Sequence, residues 1–433
     1  MAKRSVLLPM LDNVARLPLL RERAGADEHL IEQAWRLADA AGGEWDDLAP
    51  ALGALLRAYR EEAALSPFGA LAAHWDVERF MTNLRRFLDE EARAPEILAE
   101  PVTAPLIVTG MPRSGTSFLH GLLAEDPANQ VVRCWQTVYP YPDADREGKT
   151  DRRARRVDWQ LWSFAWLAPG LRSVHPLDAQ SPQECTEITA HMFQSLRFDT
   201  THRVPSYRAW LDARGHGAAY RFHRRFLKHL QAQHGRRRWV LKSPDHVFAL
   251  DALHAVYPDA RMVFVHRDPS RILPSVANLT EVLRAPFTLR TDAAGIGRQV
   301  IDDWALGAAN MVEASRRWRF GSPPPFHAQY HEIVARPVET VRRLYRHFGM
   351  TLSDAAAERI GRRAAARPNG GYGRNVYSAA DYGFDLRDMR QRFRAYLDHF
   401  DVLREVPPVI AAAEQGGPRA WSNPSRPRQH AGS

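Results

Sequence analysis

The chain has 433 residues, 45% of them hydrophobic and 25% charged, so it can bury a full core as two or three folding units or as one large unit with additions. Its formal net charge of +9 fits nucleic acid, a membrane surface or an anionic small molecule as a partner, but the acidic residues are spread throughout, which weakens the first two. Two cysteines, Cys134 and Cys185, are too few for a disulfide framework and fit a reducing cytoplasm.

Charged residues interrupt the N-terminal apolar residues at Asp12, Arg16 and Arg21, which is unlike a signal peptide. No uninterrupted apolar stretch reaches the ~20 residues that a membrane span needs. The sequence therefore predicts a soluble, cytoplasmic protein without a transmembrane segment.

Helical spacing of apolar residues dominates the first part of the chain. It predicts helices over 28–42, 46–64 and 75–93. We therefore predict a helical N-terminal extension over residues 1–100 and a main domain over 101–414. The tail over 415–433 is rich in Gly, Pro, Ser and Arg, which is typical of disorder.

A short apolar run, Leu106–Thr109, predicts a buried parallel strand, and a helix is predicted over Ser117–Glu125. The loop between them is bounded by glycines, as in loops that hold phosphates at a helix N-terminus. The lysine of a nucleotide triphosphatase loop is missing, because Thr116 stands in its place and the cation comes earlier, at Arg113. The loop therefore suits a nucleotide other than a triphosphate.

The alternation of strand and helix continues along the chain. Predicted strands lie at Trp239–Leu241, Met262–His266 and 326–330, and predicted helices at 217–233, 245–257, 296–317 and 337–348. This order predicts a parallel sheet with right-handed crossovers. A basic stripe on the helix over 217–233 is typical of a solvated face; it comprises Arg221, Arg224, Arg225 and Lys228.

Two motifs together carry a resemblance to a known family. The loop Pro112-Arg113-Ser114-Gly115-Thr116-Ser117, and Val265-His266-Arg267-Asp268-Pro269 with Ser275 eight residues beyond Arg267, resemble the paired donor-binding signature of sulfotransferases. The resemblance covers roughly residues 101–400. It implies an α/β fold with three layers, of the P-loop type with a central parallel sheet, and transfer of sulfonate from 3′-phosphoadenosine 5′-phosphosulfate to an acceptor hydroxyl or amine.

The resemblance also implies roles for individual residues. The 5′-phosphosulfate would be held by Arg113, Ser114, Gly115, Thr116 and Ser117. The 3′-phosphate would be held by Arg267 and Ser275, and Tyr330 would contact the adenine. Sulfonate transfer needs no metal. Glu187 and His191 have the spacing of a metal pair, but no third ligand is evident, so we expect none.

The catalytic candidates are Lys242, His246, Arg113 and Glu184. Lys242 ends a strand, where its ammonium could reach the transferring sulfonate. The general base is left open among His246, which leads, His175, Glu184 and Glu187. In tyrosylprotein-type enzymes a glutamate follows the loop, whereas this chain has Gln136, which cannot accept the proton.

Two further motifs resemble the bacterial branch that groups with tyrosylprotein sulfotransferases: Trp239–His246 and Tyr377–Phe384. We expect a small or lipid-like acceptor, whose identity stays open. The aromatic residues of the segment 192–210 fit an apolar or aromatic acceptor, and they fit a buried core or a pocket wall equally well. The alternatives are a kinase that uses ATP and magnesium, which Thr116 disfavours, and a non-enzymatic module that binds nucleotide or nucleic acid. We expect no nucleic-acid partner, and the oligomeric state stays open.

Overall fold

The computed structural model describes residues 26–142, 152–167, 177–318, 323–366 and 379–403. Several sequence predictions lie wholly or partly outside these residues. They are residues 1–25 of the N-terminal extension, the base candidate His175, the start of the motif at Tyr377, residues 404–414 of the main domain and the tail over 415–433.

A parallel sheet of five strands lies at the centre. The strands are β1 (Leu106–Gly110), β2 (Asn129–Gln130), β3 (Arg238–Lys242), β4 (Arg261–His266) and β5 (Phe326–Gln329). Their order is β2-β3-β1-β4-β5, and Val108 of β1 is level with Lys242 of β3 and with Val263 of β4. The carboxyl ends of these three strands therefore meet at one edge, where α/β proteins bind ligands.

Helices cover both faces of the sheet. In β1, Leu106 and Val108 belong to the apolar core on one face, and Ile107 belongs to the core on the other. The helices of the described residues are α1 (Ala26–Ala40), α2 (Leu48–Glu61), α3 (Pro67–Arg93), α4 (Thr116–Leu123), α5 (Cys134–Val138), α6 (Arg153–Leu167), α7 (Thr186–Thr189), α8 (Arg197–Thr201), α9 (Pro205–Arg214), α10 (Gly217–His234), α11 (Leu250–Val256), α12 (Pro269–Arg284), α13 (Ala293–Arg316), α14 (Tyr330–Ala335), α15 (Pro337–His347), α16 (Asp354–Ala366), α17 (Leu386–Arg392) and α18 (Arg394–His399). The α/β fold with a central parallel sheet is confirmed.

The predicted single helix over 245–257 is wrong. A 3-10 helix, Pro244–Phe248, comes first, and α11 begins only at Leu250. The Ser243 side chain caps the 3-10 helix by accepting a hydrogen bond from the Asp245 N–H at 3.2 Å. The break keeps Asp245 and the residue after it close to the end of β3.

The N-terminal helices share a core with the rest of the molecule. Phe87 of α3 packs against Phe222 and Phe226 of α10, with ring centroids 5.4 Å and 5.2 Å apart. The buried Glu91 of α3 pairs with Arg225 of α10. Within the described residues, none of the helices combines the length and the apolar character needed to cross a bilayer.

Candidate active site

The loop between β1 and α4 has the backbone shape of an anion cradle. Gly110, Arg113 and Gly115 all have positive φ, at 139°, 63° and 100°. A Cβ on Gly110 would lie 2.3 Å from the carbonyl oxygen of Val265, so only glycine fits where the loop leaves the sheet. The Ser114 hydroxyl donates to the Met111 carbonyl at 2.6 Å and fixes the turn. The loop thus presents backbone N–H groups at the start of α4, where the helix dipole is positive.

Tyr330 and Arg267 close over this loop. The ring of Tyr330, the first residue of α14, lies against Gly115, where an added Cβ would meet the ring at 2.8 Å. The Arg267 guanidinium lies over the same ring, 3.7 Å from its centroid. Gly115 is therefore needed both for its positive φ and for the close approach of the tyrosine.

The two predicted donor-binding motifs meet in space. The Arg113 Nε donates to the Ser275 hydroxyl at 3.1 Å, across 162 residues of sequence. The Arg267 guanidinium donates to the Arg113 carbonyl at 3.0 Å. The contacts follow from the sheet order, because β1 and β4 are neighbours and both motifs follow their carboxyl ends. They form a cluster of two guanidiniums and one hydroxyl beside the anion cradle.

Lys242 lies beside the loop at the end of β3. Its Nζ donates to the Ser117 hydroxyl at 2.9 Å and pairs with the Glu184 carboxylate. The lysine side chain is only 2% exposed, whereas that of Glu184 is 26% exposed. The structure thus brings Lys242, Glu184 and Ser117 together, although 58 residues separate the two charged groups in sequence.

A small polar pocket adjoins this group. Among its lining residues are Ser243, Asp245, His246, Cys185 and Tyr220. Burial, together with the negative charge of Glu184, raises the pKa of the Asp245 carboxyl to about 7. Sequence reasoning missed Asp245, although its place three residues after a lysine at a strand end was a usable signal.

His246 is held from the opposite side of the pocket. Its Nδ1 lies 2.5 Å from the Tyr220 hydroxyl, and its Nε2 is buried without a hydrogen-bond partner among the described residues. Burial, assisted by the positive charge of Lys242, holds the pKa of His246 well below its usual range. The ring is therefore neutral at physiological pH.

The remaining carboxylate candidate has a structural role. Glu187 pairs with the Arg197 guanidinium at 2.7 Å, and Arg197 also pairs with Asp76 of α3. The metal spacing of Glu187 and His191 is likewise structural, because His191 Nδ1 bonds to the Glu187 carbonyl at 3.0 Å. Burial lowers the pKa of His191 to about 3. Within the described ranges, no group of His, Cys, Asp and Glu side chains could hold a metal ion.

Several other residues singled out in the sequence also have structural roles. Gln136 caps its own helix by accepting from the Arg133 N–H at 2.8 Å. The interpretation of the basic stripe as a solvated face is wrong for Arg225, which is buried against Glu91. In the aromatic segment over 192–210, the rings of Phe193 and Phe198 are buried in the core, so they line no open acceptor site.

The fold and the site define an α/β protein with a glycine-bounded loop, two clustered arginines and a buried lysine at one sheet edge. A family model described as the sulfotransferase family matches residues 105–354. The chain belongs to the sulfotransferase family.

Solved structures and curated proteins agree with this assignment. The fold matches sulfotransferase STF1 from Mycobacterium tuberculosis with a TM-score of 0.71 at 31% identity, over 84% of this chain and 97% of that one. It matches sulfotransferase STF9 from Mycobacterium avium with a TM-score of 0.73 at 27% identity, over 86% of this chain and 96% of that one.

Curated relatives are the omega-hydroxy-beta-dihydromenaquinone-9 sulfotransferases Stf3 of Mycobacterium bovis and Mycobacterium tuberculosis. Each is 24% identical over 272 residues, which is 59% of this chain. The match spans 65% of the length of these relatives, slightly less than two thirds.

Proposed function

We propose that the protein transfers a sulfonate group from 3′-phosphoadenosine 5′-phosphosulfate to a hydroxyl group of a lipid-like acceptor. The observation that carries the donor assignment is the meeting of Arg113, Ser275 and Arg267 beside the anion cradle. This cluster of two guanidiniums and one hydroxyl beside the phosphate loop suits a nucleotide with phosphates at both its 5′ and 3′ positions. Thr116 in place of the loop lysine disfavours a triphosphate.

The residues present fit this donor. The loop N–H groups and the hydroxyls of Thr116 and Ser117 would hold the 5′ phosphate, and Arg267 and Ser275 the 3′ phosphate. The Tyr330 ring, already under the Arg267 guanidinium, would lie against the adenosine. When bound, this co-substrate supplies an activated sulfonate whose leaving group is a phosphate oxygen.

Lys242 is proposed to stabilise the negative charge that grows on the leaving oxygen, because its ammonium already touches Ser117 of the loop. Glu184, paired with that ammonium, would position it and face the acceptor. This arrangement would supply a cation close to the reacting atoms in a site with little water.

We propose Asp245, rather than His246, as the general base. A carboxylate with a pKa of about 7 is matched to accepting a proton near neutral pH. Burial raises the pKa of the Tyr220 hydroxyl, which therefore stays protonated and can donate a hydrogen bond to His246 Nδ1. The ring proton then sits on Nε2, which leaves His246 a donor toward the pocket and not a proton acceptor.

The lipid-like acceptor is supported by the curated relatives, whose names specify a hydroxylated menaquinone derivative. The grouping with tyrosylprotein-type enzymes stays a prediction that rests on Arg113 and the two sequence motifs.

Calorimetric binding of 3′-phosphoadenosine 5′-phosphate and of ATP with magnesium tests the donor. We expect the bisphosphate to bind better than ATP, and Arg267→Ala to weaken its binding about ten- to a hundredfold, the effect of losing a charged hydrogen bond. Arg298→Ala, on the exposed side of α13, is the matched control and should leave affinity unchanged. Tighter binding of ATP with magnesium, or equal effects of the two substitutions, would contradict the proposal.

A further inference from the structure

Helix α6 places its largest apolar side chains toward solvent. Trp159, Trp162 and Trp166 are 66%, 51% and 57% exposed. With 100° per residue they fall within an arc of about 60° that also contains Arg155. A surface helix of a globular protein normally turns such residues toward the core, so this stripe has the reverse orientation.

The opposite side of α6 contacts the rest of the molecule, which fixes the orientation of the stripe. Val157 is buried with Cys134 and Ala179, and the ring of Phe164 stacks on Phe287 at 5.7 Å between centroids. The Asp158 carboxylate accepts a hydrogen bond from the Ala179 N–H at 2.7 Å. The exposure of the tryptophans therefore follows from how the helix is anchored.

Positive charge lies at the start of the same helix. Residues 152–167 contain four arginines and one aspartate, a local net charge of +3. Arg152 and Arg155 are exposed, and Arg155 is one turn before Trp159 on the stripe. Tryptophan is the residue that favours the boundary between lipid headgroups and acyl chains, and arginine favours anionic headgroups. We name Arg152, Arg155, Trp159, Trp162 and Trp166 the tryptophan face.

The tryptophan face lies close to the candidate active site along the chain. Ala179, which bonds to Asp158 of α6, is five residues before Glu184. The next residue, Cys185, donates its N–H to the Lys242 carbonyl at 2.9 Å. A short segment thus connects the tryptophan face to the residues proposed to act on the acceptor.

We propose that the tryptophan face docks the protein onto an anionic lipid bilayer. The three indole rings would enter the interface, and Arg152 and Arg155 would contact headgroup phosphates. This proposal goes beyond the proposed function, because binding to a bilayer would not require the sulfonate donor to be bound. It would give the active site access to a membrane-dissolved acceptor without any membrane span.

Vesicle flotation tests the proposal on the full chain. The probes are vesicles of phosphatidylcholine alone and vesicles that also contain phosphatidylglycerol. We expect the protein to float with the anionic vesicles, less so with the neutral ones, and to be released by salt, which screens charge. Replacing all three tryptophans of the tryptophan face by serine should lower the fraction bound at least about tenfold.

A matched control removes an exposed tryptophan and arginine elsewhere. Trp35 is 48% exposed on α1, beside Arg36, so Trp35→Ser with Arg36→Glu is compared with Trp162→Ser plus Arg155→Glu. Only the second pair should reduce binding. All variants should keep the melting temperature and the bisphosphate affinity of the wild type, so failure here is separable from failure of the donor site.

Three outcomes would overturn the proposal. The wild type could fail to bind either kind of vesicle. The control pair could reduce binding as much as the pair on the tryptophan face. Light scattering could show that the free protein is a dimer that the tryptophan substitutions dissociate, in which case a second copy of the chain covers this face.

Discussion

Lys242 carries a compact ammonium beside a loop whose own cation is a guanidinium. The chain has only four lysines, at Lys3, Lys149, Lys228 and Lys242, so a lysine rather than an arginine at this strand end is unusual for this chain. A guanidinium would spread its charge over a planar fork, whereas an ammonium can place it on one oxygen. The pairing with Glu184 holds the buried ammonium in place. Without Glu184, the charge of Lys242 would be buried and uncompensated.

Asp245 gives a prediction in which stability and activity change in opposite directions. Because the folded-state pKa of this carboxyl is raised to about 7, the folded protein binds its proton more tightly than the unfolded chain does. The resulting contribution to stability is present below pH ~4 and is lost as pH rises through about 7. Asp245→Asn should therefore stabilise the protein by up to about 4 kcal/mol at pH 8 and change little at pH 4.

Urea unfolding at the two pH values measures this difference. Asp251→Asn, on the exposed side of α11, is the matched control and should show no pH-dependent gain. In a transfer assay, wild-type activity should rise with pH through about 7, and Asp245→Asn should lower kcat about a hundredfold or more. A stabilised variant that kept full activity would show that another group accepts the proton.

At the scale of elements, a partly buried ion network joins α3 to α7 and α8, the helices that follow Glu184. Asp76 accepts from Arg79 of its own helix at 2.6 Å and pairs with Arg197 of α8, which also binds Glu187. The two arginines, which outweigh the cost of burial, lower the pKa of Asp76 to about 2. The network therefore fixes the approach of α7 and α8 to the pocket.

Asp76→Ala should destabilise the protein by about 3 kcal/mol at pH 7, because it leaves two arginines without their shared carboxylate. A depressed pKa contributes stability above pH ~4 that is lost as pH falls toward 2, so the variant should also lose acid sensitivity in that range. Chemical unfolding from pH 2 to 7 measures both effects. Glu32→Ala breaks an exposed pair with Arg36 on α1 and should change stability by less than about 0.5 kcal/mol.

Elements with a strong local pattern could be predicted from the sequence. For β1, β3 and β4 the predicted and observed ends agree to within one residue, because each is a continuous apolar run that ends at a glycine, a lysine or an Arg-Asp-Pro turn. Helix α3 begins at Pro67, eight residues before its predicted start. The signal was Ser66 followed by Pro67, where the Ser66 hydroxyl accepts from the Gly69 N–H at 3.0 Å.

The site divides in the same way. The loop and Arg267 lie in short motifs, so the sequence alone nominates them as donor-binding candidates. The Lys242–Glu184 ion pair joins residues 58 positions apart, and no local sequence pattern predicts that they pair. The raised pKa of Asp245 depends on burial and on Glu184, neither of which is visible before the chain is folded. Sequence could therefore nominate the residues of the proposed donor site, but not Asp245, the proposed proton acceptor.

At the scale of the whole molecule, the N-terminal helices are part of one core. The largest apolar cluster contains Phe80 and Phe87 of α3 together with Phe222 and Phe226 of α10 and strand residues of β1 and β3. Glu91 of α3 also accepts from Arg225, and from His229 at 2.8 Å, both on α10. The boundary predicted near residue 100 therefore separates segments of sequence whose side chains pack together.

This packing predicts that a chain shortened to residues 101–433 will not fold cooperatively. Each large apolar side chain that loses its cover costs about 1.5–3 kcal/mol, and several together exceed the 5–15 kcal/mol that stabilises a typical protein. Arg225 and His229 would also lose the carboxylate that they share. Near-UV circular dichroism and thermal unfolding should show lost tertiary packing in the shortened chain.

In the full chain, Phe87→Ala should unfold cooperatively but with about 3–5 kcal/mol less stability. A shortened chain that unfolds cooperatively and binds the bisphosphate would establish residues 1–100 as a separable extension, and the shared core would then be an interface between two units.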